Sequence, residues 1–380
     1  MTDMASQSVQ PKMRLLSLDV MRGLTVAAMI LVNNNGDPQH CYRALLHSAW
    51  NGCTPTDLIF PAFLFMVGVS MSLSMLPRVQ RGQNPTSFFP AIFRRCVLLI
   101  VLGLIANGYP FFHLATLRYC GVLQRIALCF LFSSALVLFG NTRTRVLAVC
   151  VLLIGYWAIL RFAPVPGYGY PLRDFPLLDM WKNVPAWLDR ILFPGHLYRN
   201  GIYDPEGLLS TLPAIANTVA GTLAGEWLRS SRIPLSKAAG LMLGGVLSAA
   251  LGYAWSVEMP FNKRLWTSSY ALFAIGVACA LLALLYWMFD IRRYEKGWTT
   301  PCSVFGMNAI TAYLFSELLA PTFKLIRMPD GTNLQRALMV HVFDHIPVPG
   351  LASLAYSICF VLACYPLVMW LHHRRIFLRL

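Results

Sequence analysis

Charge is scarce in this chain. Asp, Glu, Lys and Arg make up 12% of its 380 residues, against roughly 25% in an ordinary soluble domain. So few charges cannot cover the surface of a soluble protein of this length. Acidic residues are scarcer still, 16 against 31 basic, for a formal net charge of +15. No basic, aromatic-interleaved domain carries that excess, so nucleic acid is excluded as its partner. Walker A loops, GxSxG elbows and HExxH helices are missing. Their absence argues against P-loop phosphoryl transfer, α/β-hydrolase chemistry and a zinc-peptidase site. The ten cysteines form no CxxC and no zinc-like spacing. His341 and His345 are four apart but lack an acidic or thiol partner nearby, so no metal is expected.

Apolar residues account for 57% of the chain. They fall in runs of roughly 20, long enough to cross a hydrocarbon core of ~30 Å. The pattern predicts an all-α integral membrane protein, a bundle of about ten transmembrane helices. The spans read as 16–33, 57–76, 88–107, 120–139, 146–162, 208–228, 237–255, 268–289, 301–320 and 351–371. A weaker amphipathic stretch, 333–345, is expected at the surface or re-entrant. Residues 1–13 form a polar tail and 14–380 a single membrane domain. The run from residue 16 leads into that domain and is not read as a cleavable leader.

Basic residues crowd the short connections on one side: Lys12, Arg14, Arg78, Arg81, Arg143, Arg145, Arg229, Arg232, Lys237, Arg292, Arg293, Lys296, Arg374, Arg375 and Arg379. That bias places both termini in the cytoplasm, with the longer loops 34–56 and 163–207 outside. Cys41 and Cys53 fall in the first outer loop, where a bridge between them is one option. The other cysteines in or near apolar spans read as small packing residues.

Ionisable groups inside spans are costly and mark candidate sites. Asp19 and Arg22 lie three apart on one helical face, as a boundary ion pair or part of a site. Arg94 and Arg95 open the third span, where snorkelling competes with ligand binding. Arg125 lies deeper and needs a carboxylate, carbonyls or a ligand phosphate. The first outer loop runs His47-Ser48-Ala49-Trp50-Asn51-Gly52-Cys53-Thr54-Pro55-Thr56-Asp57. His47 is suited to proton transfer near neutral pH. Asp57 suits the start of the next helix as a cap, or the orientation of His47. Arg118, Asp204, Glu206, Asn262, Lys263 and Trp266 sit in segments assigned to the same side, as pocket lining or as interfacial anchors.

These segments carry a resemblance. Leu16-Ser17-Leu18-Asp19-Val20-Met21-Arg22-Gly23, then Asn33-Asn34, then the His47–Asn51 string running into Thr56-Asp57-Leu58-Ile59-Phe60-Pro61, are similar to the heparan-α-glucosaminide N-acetyltransferase family and its bacterial relatives. So are Gly121-Val122-Leu123-Gln124-Arg125, Tyr203-Asp204-Pro205-Glu206-Gly207, Asn262-Lys263 with Leu265-Trp266, and Gly306-Met307-Asn308. The resemblance covers nearly the whole chain, in order. It implies a transmembrane acetyltransferase taking acetyl from cytosolic acetyl-CoA to an amino sugar or related glycan across the membrane, here a bacterial inner membrane. It matches the family's essential histidine to His47 and a nearby asparagine to Asn33. Arg22, Arg94, Arg95 and Arg125 would then meet the anionic head of CoA. The stretch between Asn33 and His47 is longer and more polar than in the animal enzyme, whose luminal N-terminal domain has no counterpart here. Glycan O-acylation and solute transport without chemistry are the competing readings. Oligomeric state is left open, a homodimer included.

Overall fold

The computed structural model describes residues 15–198, 201–294 and 297–376. The expected tail 1–13, with Lys12, and also Arg14, Lys296 and Arg379, lies outside the described residues. The described residues form helices and isolated bridges, with no strand among them. The protein is an all-α integral membrane protein.

The long helices are α1 (Leu16–Asn33), α2 (Ile59–Ser74), α3 (Phe89–Gly108), α4 (Val122–Phe139), α5 (Thr142–Phe162), α6 (Thr211–Arg229), α7 (Pro234–Trp255), α8 (Ser268–Leu285), α9 (Thr299–Met307), α10 (Ala309–Leu325) and α11 (Pro349–His373). Eight helical stretches among the described residues are long and apolar enough to cross a membrane, and a ninth if α9 and α10, bent by 84°, make one broken span. The break lies at Asn308, whose non-helical φ of −118° and ψ of 36° interrupt the helix. The stretch at 333–345 is a short helix, Leu334–Leu338, followed by one wide turn.

Helix α6 matches the sixth expected span but falls short of that apolarity. Its position explains why. It is packed among α2, α4, α5 and α8, so it faces protein and not lipid. Its Thr211, Asn217, Thr218 and Thr222 are buried and hydrogen-bonded. Asn217 donates to the Ala271 carbonyl at 3.2 Å and accepts from Trp266 Nε1 at 3.0 Å. Small residues set the close approach: a Cβ at Gly68 of α2 would lie 1.8 Å from the Thr218 carbonyl oxygen, and one at Gly221 2.0 Å from that of Phe65. Membrane helices without a solvent-driven hydrophobic force associate through such contacts. Helix α2, with its flanking turns, buries 67% of its apolar stretch, whereas α5 and α7 bury 22%. The first is therefore central and the other two form the rim.

Contacts among the connecting segments gather them at two unlike ends of the bundle. At the turn end, Arg145 pairs with Glu226 at 2.7 Å, Arg229 meets Gln80, and the first amides of α1 donate to the Asp290 carboxylate. At the loop end, the long segments converge. Gly52 N–H donates to the Phe261 carbonyl at 2.7 Å, Trp50 Nε1 to that of Leu178 at 2.7 Å, and Tyr109 bonds Thr322. Cys41 and Cys53 are free thiols; no bridge forms. Cys41 donates instead to Asn35 Oδ1, and burial pushes the Cys53 thiol up to about 12.

Candidate active site

Thr54-Pro55-Thr56-Asp57 is a helix start written in sequence, with proline in the first turn and a hydroxyl three residues before a carboxylate. The structure closes this capping box. Asp57 Oδ2 accepts from the Thr54 amide at 3.0 Å, the Thr54 hydroxyl at 3.1 Å and the Ser48 amide at 3.2 Å. Its other oxygen accepts from His47 Nδ1 at 2.8 Å. Capping and orientation of His47 are thus both performed by Asp57. The carboxylate selects the Nδ1–H tautomer and leaves Nε2 as an acceptor. Asp57 is 1% exposed and His47 41%, so the pair has a rigid base and an accessible working atom. Tyr270 of α8 donates to the Asp57 carbonyl at 2.5 Å and ties the dyad to the core.

The dyad opens into a cavity of about 540 Å³ at the loop end. Of the residues singled out in the sequence, Asn33, His47, Asp57, Arg118, Glu206, Lys263 and Trp266 line it. Lys263 Nζ lies over the edge of the imidazole, 3.0 Å from His47 Nδ1 and 3.3 Å from Nε2, and 3.8 Å from Asp57 Oδ1. Burial lowers the Lys263 ammonium below its usual range, with Asp57 and Glu206 pulling the other way. Trp266 stands in the left-handed region, φ 53°, an uncommon state for a bulky residue. The turn 262–267 holds it there: Trp266 N–H donates to the Lys263 carbonyl, Thr267 N–H to that of Asn262 and Leu265 N–H to Asn262 Oδ1.

Two residues read as lining are struts. Asn262 is fully buried and spends its amide on Asn51 at 3.1 Å, joining the His47 loop to the 256–267 turn. Asp204 grips Arg118 Nε at 2.8 Å and accepts the Tyr198 amide. Arg118 also pairs with Glu206. Burial pushes the Glu206 carboxyl up, but Arg118 and Arg125 outweigh it and hold it below the usual range.

The four arginines expected to act together are divided. Arg94 and Arg95 line a second cavity of about 250 Å³ at the turn end, with Arg78, Ser70 and Ser74. Arg22 backs it, donating to Ser70 Oγ at 2.7 Å and pairing with Asp19 at 3.5 Å. Arg95 has a buried Nε without a hydrogen-bond partner, a donor suited to an anionic ligand. Arg125 is at the other end. It is buried, donates to Ser210 Oγ at 2.5 Å and the Gly207 carbonyl at 3.2 Å, and stacks on Trp266.

Glu317, Tyr313 and Lys324 of α10 also line the larger cavity and escaped the sequence reading. A carboxylate in an apolar span was a usable signal, since such groups are costly in a membrane.

Fold and site together define a polytopic membrane protein with an oriented imidazole and a cation in a cavity at one end of its bundle, and an arginine-rich cavity at the other. Residues 14–186 match the family model described as heparan-alpha-glucosaminide N-acetyltransferase, catalytic. The heparan-alpha-glucosaminide N-acetyltransferases of Mus musculus and Homo sapiens are each 31% identical over 362 residues, covering 82% of this chain and 54% of the relative. The chain belongs to this family. It spans about half the length of the curated relatives it matches.

Proposed function

We propose that the protein is a transmembrane N-acetyltransferase that passes an acetyl group from acetyl-CoA to the amine of an amino sugar. The observation that carries this reading is the His47–Asp57 pair at the wall of the 540 Å³ cavity. In it, Nε2, turned away from Asp57 and 3.3 Å from Lys263 Nζ, takes a proton from the acceptor as nitrogen attacks the thioester carbon. The C–N bond forms, the C–S bond breaks, and His47 returns the proton to the departing thiolate. Lys263 and the Asn33 amide supply cation and donor for the oxygen that becomes negative. A covalent route, with acetyl carried on Nε2, uses the same atom. Label retained on the protein after radiolabelled acetyl-CoA is supplied without acceptor separates the two routes.

The donor's anionic head fits the turn-end cavity, where Arg78, Arg94 and Arg95 gather and Arg95 Nε lacks a partner. Guanidinium groups suit phosphate recognition. The density of Lys and Arg in the short connections supports a cytoplasmic reading of that end. The acceptor then meets His47 on the far side.

His47→Ala tests the reading. The imidazole sits in a loop, so its removal should cost little stability. The variant should elute as a monodisperse species and bind acetyl-CoA as the wild type does. Transfer should fall by at least about 10²–10⁴-fold. Turnover near the wild-type rate would end both the base and the carrier roles.

A further inference from the structure

Glu317 is the acidic group in the larger cavity that the mechanism above does not use. Glu206, the other carboxylate beside the dyad on that wall, is neutralised by Arg118. Glu317 has no cationic group within salt-bridge distance among the described residues; its hydrogen-bond partners are neutral, the Asn33 amide 3.4 Å from Oε1 and the Tyr313 hydroxyl. A carboxylate on a cavity wall with only neutral support is a ready partner for an arriving cation. The titratable groups around it are Tyr313 and Lys324 on its own helix, Arg118, Tyr198 and Glu206 from the loops, and His47, Asp57, Lys263 and Arg264 across the cavity. The short helix Leu334–Leu338, packed on α10, carries Arg336, and α1 contributes the neutral Asn33.

An amino sugar arrives as an ammonium. Acetyl transfer to it from acetyl-CoA must remove two protons from nitrogen, one before attack and one during it, whereas His47 disposes of one. We propose that Glu317 receives the acceptor's ammonium and takes its first proton, so that a neutral amine faces His47. This rests on the acetyltransferase reading, whose acceptor is an amine, and assigns to Glu317 the step that deprotonates it. The balance closes. The first proton passes from nitrogen to the Glu317 carboxylate, and the ion pair becomes a neutral pair. The nitrogen lone pair then attacks the acetyl carbon and the C–S bond breaks. The second proton moves through His47 to the thiolate, giving amide and free thiol. Glu317 discharges its proton to water once the product leaves. Asn33 in this arrangement also steadies the carboxylate.

The test is the pH profile of Glu317→Gln against wild type, with acetyl-CoA and glucosamine as the probe acceptor. Wild-type product formation that depends on acetyl-CoA establishes the underlying reading; its absence overturns that reading and with it this proposal. Given wild-type activity, the variant's kcat/KM should trail by about tenfold for each pH unit below the acceptor's amine pKa and meet the wild-type value above it. Equal profiles overturn the proposal. So does a constant deficit at every pH in a variant that still binds acetyl-CoA, because a structural role would give that. A second arm uses wild-type protein alone and decides the matter if the variant does not fold. N,N-dimethylglucosamine, cationic and unable to form a stable amide, should inhibit competitively and at least tenfold more strongly than glucose. Equal inhibition by the two would overturn the assignment.

Discussion

Asp57→Asn separates orientation of the imidazole from support of the loop. Asp57 accepts four hydrogen bonds, three at Oδ2 and one at Oδ1. Asparagine is isosteric and has one acceptor oxygen. With that oxygen placed on the Thr54 and Ser48 donors, its NH2 must face His47 Nδ1. A donor there makes Nδ1 the acceptor, so the remaining ring proton moves to Nε2. The working nitrogen then carries a proton and can neither take one nor attack a carbonyl, although the ring has not moved. The stability cost is confined to exchanging charge-assisted bonds, each about 1.5–3 kcal/mol, for neutral ones of about 0.5–1.5 kcal/mol. Asp57→Ala would instead strand the amides of Ser48 and Thr54 at about 1–3 kcal/mol each and confound folding with chemistry. The expected result for Asp57→Asn is a fall in kcat/KM of about 10²–10⁴-fold, with a modest drop in detergent melting temperature and near-normal acetyl-CoA binding. The assay is radiolabelled acetyl transfer beside thermal melting of the same preparation. Wild-type kcat/KM in a folded Asp57→Asn protein would refute the tautomer argument, and a total loss of fold would show that the carboxylate is chiefly a cap.

Other outcomes follow from the same contacts. Arg118→Ala leaves Asp204 and Glu206 without their shared cation; it should destabilise by about 3–5 kcal/mol, read as loss of monodispersity or a lowered melting temperature. Arg95→Ala should weaken acetyl-CoA binding in a salt-sensitive way with little effect on melting. Arg125→Ala should do the reverse, because Arg125 anchors Gly207, Ser210 and Trp266. Isothermal binding and melting curves on both variants check the pair. Burial raises the Asp189 carboxyl from 3.8 to about 6, so the folded state keeps a proton that the unfolded state has released between those values. Asp189 therefore carries no penalty below its unfolded value of 3.8, a growing one as pH rises, and the full one above about 6. Asp189→Asn should flatten that part of the stability profile, by up to roughly 3 kcal/mol, measured by melting at pH 4.5 and 7.

The sequence by itself determined what local pattern can carry. Run length and charge scarcity specify an all-helical membrane protein, and the Thr54–Asp57 start, the Asn262–Trp266 turn and His47 are legible because each signal lies within a few residues. Tertiary structure decided which of these meet. Asn33 and Glu317 are 284 positions apart, and His47 and Lys263 216; their encounter depends on how α1, α10 and the loops pack, which no window of sequence records. Packing also moved Arg125 away from the other arginines, turned Asp204 and Asn262 into struts, and put the least apolar long helix, α6, at the centre. The physical reason is one of range. Hydropathy and capping act over a turn or two, whereas a buried charge takes its role from whatever the fold brings within about 4 Å of it.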